Sequence, residues 1–274
     1  MIRSRGWKMT AVATLVVVLV LFLTPYLWIF LTSFKTRLDA LADVPVWTFS
    51  PTFEHYPKIF IDKGYLSLVW NSLNVAIFST LLSLSIGVPA AYVFARYDFA
   101  GKEDLFFFFL TTRMAPPISI VVPMFLLFSL IGLTDMPIAV ILAHTTFNLS
   151  LVVWMMRGFF ADIPREIDEA AMLDGHTRGG TFLKILLPLA SPGLGATAVL
   201  CFILSWNEFL YAFILVAFES RTLTVGIPGL VTPHGTLWGQ VAAVAVVATL
   251  PILLFTFLVQ KHLVRGLTFG AIKG

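Results

Sequence analysis

Long apolar runs alternate with short polar stretches along this chain. Six runs approach or exceed the roughly 17–25 residues that a helix needs to cross the hydrocarbon core of a bilayer: 10–31, 66–94, 105–131, 138–154, 190–218 and 241–259. The third is interrupted by Pro116, Pro117 and Pro123, which kink a helix unless neighbours satisfy the freed carbonyls. Between the fourth and fifth runs the pattern changes. Residues 157–189 are rich in charge, Pro164 suits a first helical turn, and Arg165 to Leu173 contains no breaker. Gly175 then predicts a left-handed stop. Thr177 is placed to cap a second helix, whose Phe182, Ile185, Leu186 and Leu189 fall at i, i+3, i+4 and i+7. The pattern predicts a polar helical hairpin that feeds directly into the fifth apolar run.

Composition sharpens this into a membrane protein. Of 274 residues 58% are hydrophobic and only 12% charged, and a mean hydropathy of +0.92 lies far outside the soluble range. The charges that remain give an orientation. With both termini on the cytoplasmic side, twelve of the 18 Lys and Arg fall on that side and five on the other, with Arg113 inside a span. The hairpin is then cytoplasmic. A net charge of +3 follows from this bias and gives no reason to expect nucleic acid. The first run is too long for the apolar core of a signal peptide and no A-x-A site follows it, so it is read as an uncleaved span. Cys201, the single cysteine, lies in an apolar run and is expected to be a packed small side chain.

The hairpin residues are specific. Glu169-Ala170-Ala171, three residues, Gly175, nine residues, Ile185, one residue and Leu187-Pro188 match the EAA signature of ABC-importer permeases, and Asp174 and Phe182 also fit. His176 departs from it, where many members carry Ala. Ser205-Trp206-Asn207-Glu208-Phe209 resembles the W-N-E-F run of carbohydrate-importer permeases. The ending Gly266-Leu267-Thr268-Phe269-Gly270-Ala271-Ile272-Lys273-Gly274 resembles the G-L-T-x-G-x-x-K-G tail of the maltose-importer type. Thr52–Tyr56 is similar to an outer-face T-F-x-N-Y pattern but carries His55.

The resemblance implies an all-α membrane protein, a single permease domain over 1–274 with six transmembrane helices and the type I ABC-importer fold. It further implies a multi-pass subunit of the bacterial inner membrane. Its partners would be a second permease in a heterodimer, two cytoplasmic ATPase subunits, an extracytoplasmic solute-binding protein and a sugar-like substrate. ATP and magnesium would be held by the ATPases, since no G-x-x-x-x-G-K-[ST] occurs here. Coupling to the ATPase would rest on Glu166, Glu169, Ala170, Ala171, Asp174, Gly175 and Pro188. The tail residues Gly266, Leu267, Thr268, Gly270 and Lys273 would approach the ATPases.

The remaining candidates lie within the spans. A charge at the depth of Arg113 costs at least about 2.5 kcal/mol on insertion scales, so it calls for a partner or a water-filled cavity, with snorkelling to the headgroups as the alternative. Glu208 is a candidate partner. Next to a helix break, Arg113 would also suit an anionic substrate. His144 and Asn148 share a helix face at i, i+4, which fits either helix packing or a pathway. Trp206, Asn207 and Glu208 combine a flat apolar ring with donors and acceptors, as sugar recognition requires. An ABC permease for another solute, or an ion-coupled secondary transporter using Arg113, His144 and Glu208, are the competing readings.

Overall fold

The computed structural model describes residues 5–233 and 235–269, with side chains from 7 to 257 apart from 8 and 234. It is almost wholly helical; the exception is a two-residue antiparallel pairing of β1 (Val231–Thr232) with β2 (Gly235–Thr236).

Four helices are long and apolar enough to cross a membrane by themselves. They are α1 (Arg5–Thr32), α2 (Tyr65–Arg96), α5 (Pro137–Ala161) and α10 (Trp238–Phe269), the last with its apolar stretch ending at Phe257. The third expected segment is divided. α3 (Lys102–Thr111) stops before the Pro116-Pro117 pair, and α4 (Pro117–Leu130) starts on it, because proline fits a first helical turn but not an interior. The fifth expected segment is also divided. α8 (Ser191–Asn207) ends where Glu208 turns extended, and α9 (Leu210–Leu215) resumes for under two turns. Between α5 and α8 lie α6 (Arg165–Leu173) and α7 (Arg178–Leu189), and α7 meets α8 at a 75° bend.

The chain forms two compact units. The first comprises Met1–Leu66 and Gly226–Pro251, the second Ser67–Val225 and Ile252–Gly274. In the first unit an aromatic cap covers the end of α1. Phe34 packs edge-on against Phe53 and tilted against Tyr56, and Lys35 places its ammonium 3.6 Å from the Trp28 ring centre. His55 is buried there, its Nε2 2.7 Å from the Lys35 carbonyl, and Gly239 lies so close to the ring that any Cβ would collide with it. His55 is thus a packing residue, and the room for its ring is left by a glycine 184 positions away.

The second unit has its core between α2, α5 and α8. One apolar cluster joins Val75, Val121, Val140, Ala143, Ala212 and Leu215; another joins Val88, Ala91, Val152, Met156, Phe160, Leu186 and Cys201. Close approach depends on small residues, as usual between membrane helices. A Cβ on Gly87 would stand 2.6 Å from Val152 Cγ1, and one on Gly193 would fall into the Phe159 ring. The first joins α2 to α5 within the bundle; the second lies beside the hairpin, where it enters α8.

Candidate functional site

The hairpin is built by local rules. α6 carries Glu166 and Asp168 in its first turn, where the helix dipole favours negative charge. It closes with paired reverse hydrogen bonds, Gly175 N–H to the Met172 carbonyl and His176 N–H to the Ala171 carbonyl, both 3.1 Å. Gly175 takes φ +87°, the left-handed value this closure needs and glycine adopts without strain. Of His176, only the backbone takes part in this closure. Thr177 then caps α7 by accepting from the Gly180 N–H at 3.1 Å. Pro188 cannot donate to the Lys184 carbonyl, and the backbone there is a π turn, Phe182–Leu186.

Helix phase divides the signature residues. Glu166, Glu169, Ala170, Asp174, Gly175 and Pro188 are exposed, and so is Leu173, at 89%. Ala171 points the other way and is buried against its own chain. Ile163, Ile167, Phe182, Leu186 and Leu187 pack into the second apolar cluster and seat the hairpin on the ends of α2 and α5. A charged clamp completes the seat. Arg96, in the last turn of α2, forms a 2.6 Å ion pair from Nε to Asp168 Oδ2 and donates to the Ile163 carbonyl at 2.9 Å. The short polar turn 96–104 gave no sign of this from sequence, because its partners lie about 70 residues downstream. A cavity of about 150 Å³ between Tyr92, Arg96, Asp168, Glu169 and Arg178 adjoins the clamp.

The intramembrane candidates fall into three sets. Arg113 and Glu208 line one cavity of about 560 Å³ between the two broken segments, walled by Phe108, Phe147, Leu204 and Tyr211. They do not pair. Glu208 instead stands 3.2 Å from His144 Nε2 and accepts the Tyr211 N–H at 3.0–3.1 Å and the Ala212 N–H at 3.3 Å. Its carboxylate therefore caps α9 from the residue before the N-cap, Phe209, and compensates the break in the span. Arg113 has no ion pair among the described residues. Asn148 belongs to a second set. It is fully buried and donates to Ser205 Oγ at 2.8 Å, and Ser79 Oγ donates to the same oxygen at 3.0 Å, so one polar seam ties α2, α5 and α8 together. The third set faces neither cavity nor seam. Trp206 is buried and stacks on Phe202, which stacks on Phe255, while Asn207 is exposed and donates back to the Ile203 carbonyl at 2.9 Å. Gly266, Leu267 and Thr268 lie on the last turns of α10, which runs beyond the expected end of the span; Gly270 and Lys273 lie outside the described residues.

The family model for the binding-protein-dependent transport system inner membrane component matches residues 83–269. The chain belongs to this family. It is a multi-pass inner-membrane permease, the membrane part of a transport system and not its catalyst. The trehalose transport system permease protein of Mycobacterium tuberculosis is 38% identical over 255 residues, covering 92% of this chain and 93% of that protein. The trehalose/maltose transport system permease protein of Thermococcus litoralis is 34% identical over 266 residues, covering 96% and 95%. Among solved structures, a bacterial ABC transporter involved in the import of the acidic polysaccharide alginate aligns with TM-score 0.77 at 24% identity, over 95% of this permease and 99% of that chain. It shares the fold of an ABC-importer permease.

Proposed function

We propose that this permease imports a sugar, a polyol or a sugar derivative as one half of a permease heterodimer. Two cytoplasmic ATPase subunits, binding ATP and magnesium, drive it, and an extracytoplasmic solute-binding protein delivers the cargo. Both termini and the hairpin face the cytoplasm, in keeping with the excess of Lys and Arg on that side. Sugar-permease relatives that align over most of their length support the cargo class. The observation that carries the mechanism is the seated hairpin: α6 is held by the bundle on one face and presents Glu166, Glu169, Ala170 and Leu173 on the other.

Leu173 and Ala170 suit an apolar groove on the ATPase, and Glu166, Glu169 and Asp174 suit basic groups around its rim. Ala171 serves the opposite contact, against the permease's own helices. Gly175 sets the angle of the hairpin, and Pro188 with the 75° bend sets the angle at which it enters α8. Closure of the ATPases on ATP moves the hairpin as a rigid piece and rocks the bundle between outward and inward states; hydrolysis resets it. The tail residues Gly266, Leu267, Thr268, Gly270 and Lys273 serve as a further contact with the ATPases. In the membrane, the cavity lined by Arg113 and Glu208 is this chain's contribution to the pathway, with His144 behind it; Asn148 and Trp206 hold the surrounding helices together, and Asn207 lies on an exposed face of α8.

The test is ATP hydrolysis by the complete complex in lipid, with and without the loaded solute-binding protein. Wild type is expected to be stimulated, and Gly175→Asp and Glu169→Lys to lose that stimulation. Uptake that persists in both variants without ATP would refute the importer reading.

A further inference from the structure

We propose that Arg96 is a positioning residue for energy coupling: its ion pair with Asp168 latches the coupling helix to the second membrane span, so that ATPase movement reaches the bundle without slip. The inference rests on the importer reading above. It concerns the opposite face of the hairpin from the one offered to the ATPase.

The geometry has three parts. First, α2 grips both helices of the hairpin from one face. Tyr92 and Arg96 are spaced i, i+4 and therefore lie one above the other. Tyr92 packs on Phe182 of α7 with ring centres 4.8 Å apart, and Arg96 reaches Asp168 of α6 and the Ile163 carbonyl at the hairpin's entrance. One turn of a single span thus touches the entrance and both arms. Second, the pair is sheltered. The side chains of Arg96 and Asp168 are 6% and 14% exposed, so the contact is far less screened than a surface ion pair. Third, the rest of the seat is apolar. Ile163, Ile167, Phe182, Leu186 and Leu187 hold the hairpin to the bundle, but contacts of that kind are not directional and permit sliding. The guanidinium, ion-paired with a carboxylate on one helix and hydrogen-bonded to the backbone carbonyl before it, ties the hairpin at two points, and the hydrogen bond supplies the direction.

The charges around the pair leave Asp168 as its partner. Asp98 is taken by Lys102 at 2.9 Å, Glu103 by Arg157 at 2.8 Å, and Glu169, on the rim of the small cavity, is exposed toward the side offered to the ATPase. Arg178 lies over the Tyr97 ring, 5.5 Å from its centre.

The experiment compares wild type with Arg96→Ala, Arg96→Lys, Asp168→Asn and the exchange Arg96→Asp/Asp168→Arg, each in the complete complex in proteoliposomes. Three quantities are read: recovery of the assembled complex, ATP hydrolysis stimulated by the loaded binding protein, and sugar transported per ATP hydrolysed. Asp168→Asn preserves shape and removes charge, so it separates latch from packing if Arg96→Ala does not assemble. Arg96→Ala and Asp168→Asn are expected to assemble and hydrolyse ATP while transport per ATP falls at least about fivefold, the low end for a coupling free energy between sites. Arg96→Lys is expected to keep part of the ratio, and the exchange to recover part of what the single changes lose. An unchanged transport-to-hydrolysis ratio in Asp168→Asn overturns the latch and leaves the importer reading standing. So does a loss of assembly and activity in strict proportion across all variants. Absence of stimulated hydrolysis in wild type instead overturns the importer reading itself.

Discussion

Gly193→Ala is the most direct test of how the hairpin enters the bundle. Gly193 lies three residues past the 75° bend, and a Cβ there would fall into the Phe159 ring at its root, against Cγ and both Cδ atoms. Two effects oppose each other. Alanine gains about 1 kcal/mol over glycine in a helix interior. Inserting a methyl group into a closed contact costs about 1–3 kcal/mol, toward the upper end where the obstructing atoms cannot swing aside. Here the obstruction is the ring root and not a flexible tip, so the clash wins and the net loss is about 1–2 kcal/mol. For a chain of this length that lowers the apparent thermal midpoint by about 2–4 °C per kcal/mol. Tryptophan fluorescence in nanodiscs reads it. The decisive arm is the double variant Gly193→Ala/Phe159→Ala. Removing the ring removes every atom the methyl group meets, so the two losses should fall short of additivity by at least about 0.5 kcal/mol, as expected for groups in contact. A rise in midpoint for Gly193→Ala alone, or strict additivity in the double variant, would refute the close-packing argument.

Other consequences are smaller. Gly175→Ala meets no atom within 4 Å, so its cost is only the left-handed backbone, about 1–2 kcal/mol; Gly175→Asn should be milder, and both should impair stimulated hydrolysis less than Gly175→Asp. Ser205→Ala and Asn148→Ala should interact in a double-mutant cycle of thermal midpoints by about 0.6 kcal/mol, the usual size for hydrogen bonds between membrane helices. Asp135, in the loop between α4 and α5, gives a pH signature. Burial raises its pKa, but hydrogen bonds from the Phe218 and Ala217 N–H groups outweigh this and hold the carboxyl below its ordinary value. Its contribution is therefore complete above the unfolded value of about 3.9 and disappears as pH falls through the lower folded value. The midpoint difference between wild type and Asp135→Ala should be constant from about pH 5 upward and shrink in that acid window; a difference that grows toward low pH would contradict the assignment.

What the sequence disclosed and what it withheld follow from the range of the interactions. The hairpin was legible because its signals are local: a capping threonine, a glycine where the chain must turn left-handed, and an apolar period of 3.6 that all agree within 25 residues. The break in the third segment was legible for the same reason, since Pro116-Pro117 imposes it from within. The break at Glu208 was not. A carboxylate in an apolar run reads as an unmet charge seeking a cation, and Arg113 was the available one. In the folded chain backbone N–H groups and His144 satisfy it, and Arg113, in the lining of the same cavity, has no ion pair among the described residues. The pairing of Arg96 with Asp168 was not legible either, because nothing within a few residues of either reveals the other. The same reasoning limits the W-N-E-F run. Its residues have the chemistry of sugar recognition, yet Trp206 is committed to a stack with Phe202 and Glu208 to a helix cap, so the motif reaches the cavity a substrate would meet through Glu208 and not through Trp206. A polar residue in a membrane span thus indicates function only after the backbone and neighbouring helices have taken what they need from it. Among the described residues of the spans, Arg113 is the charge left without an ion pair.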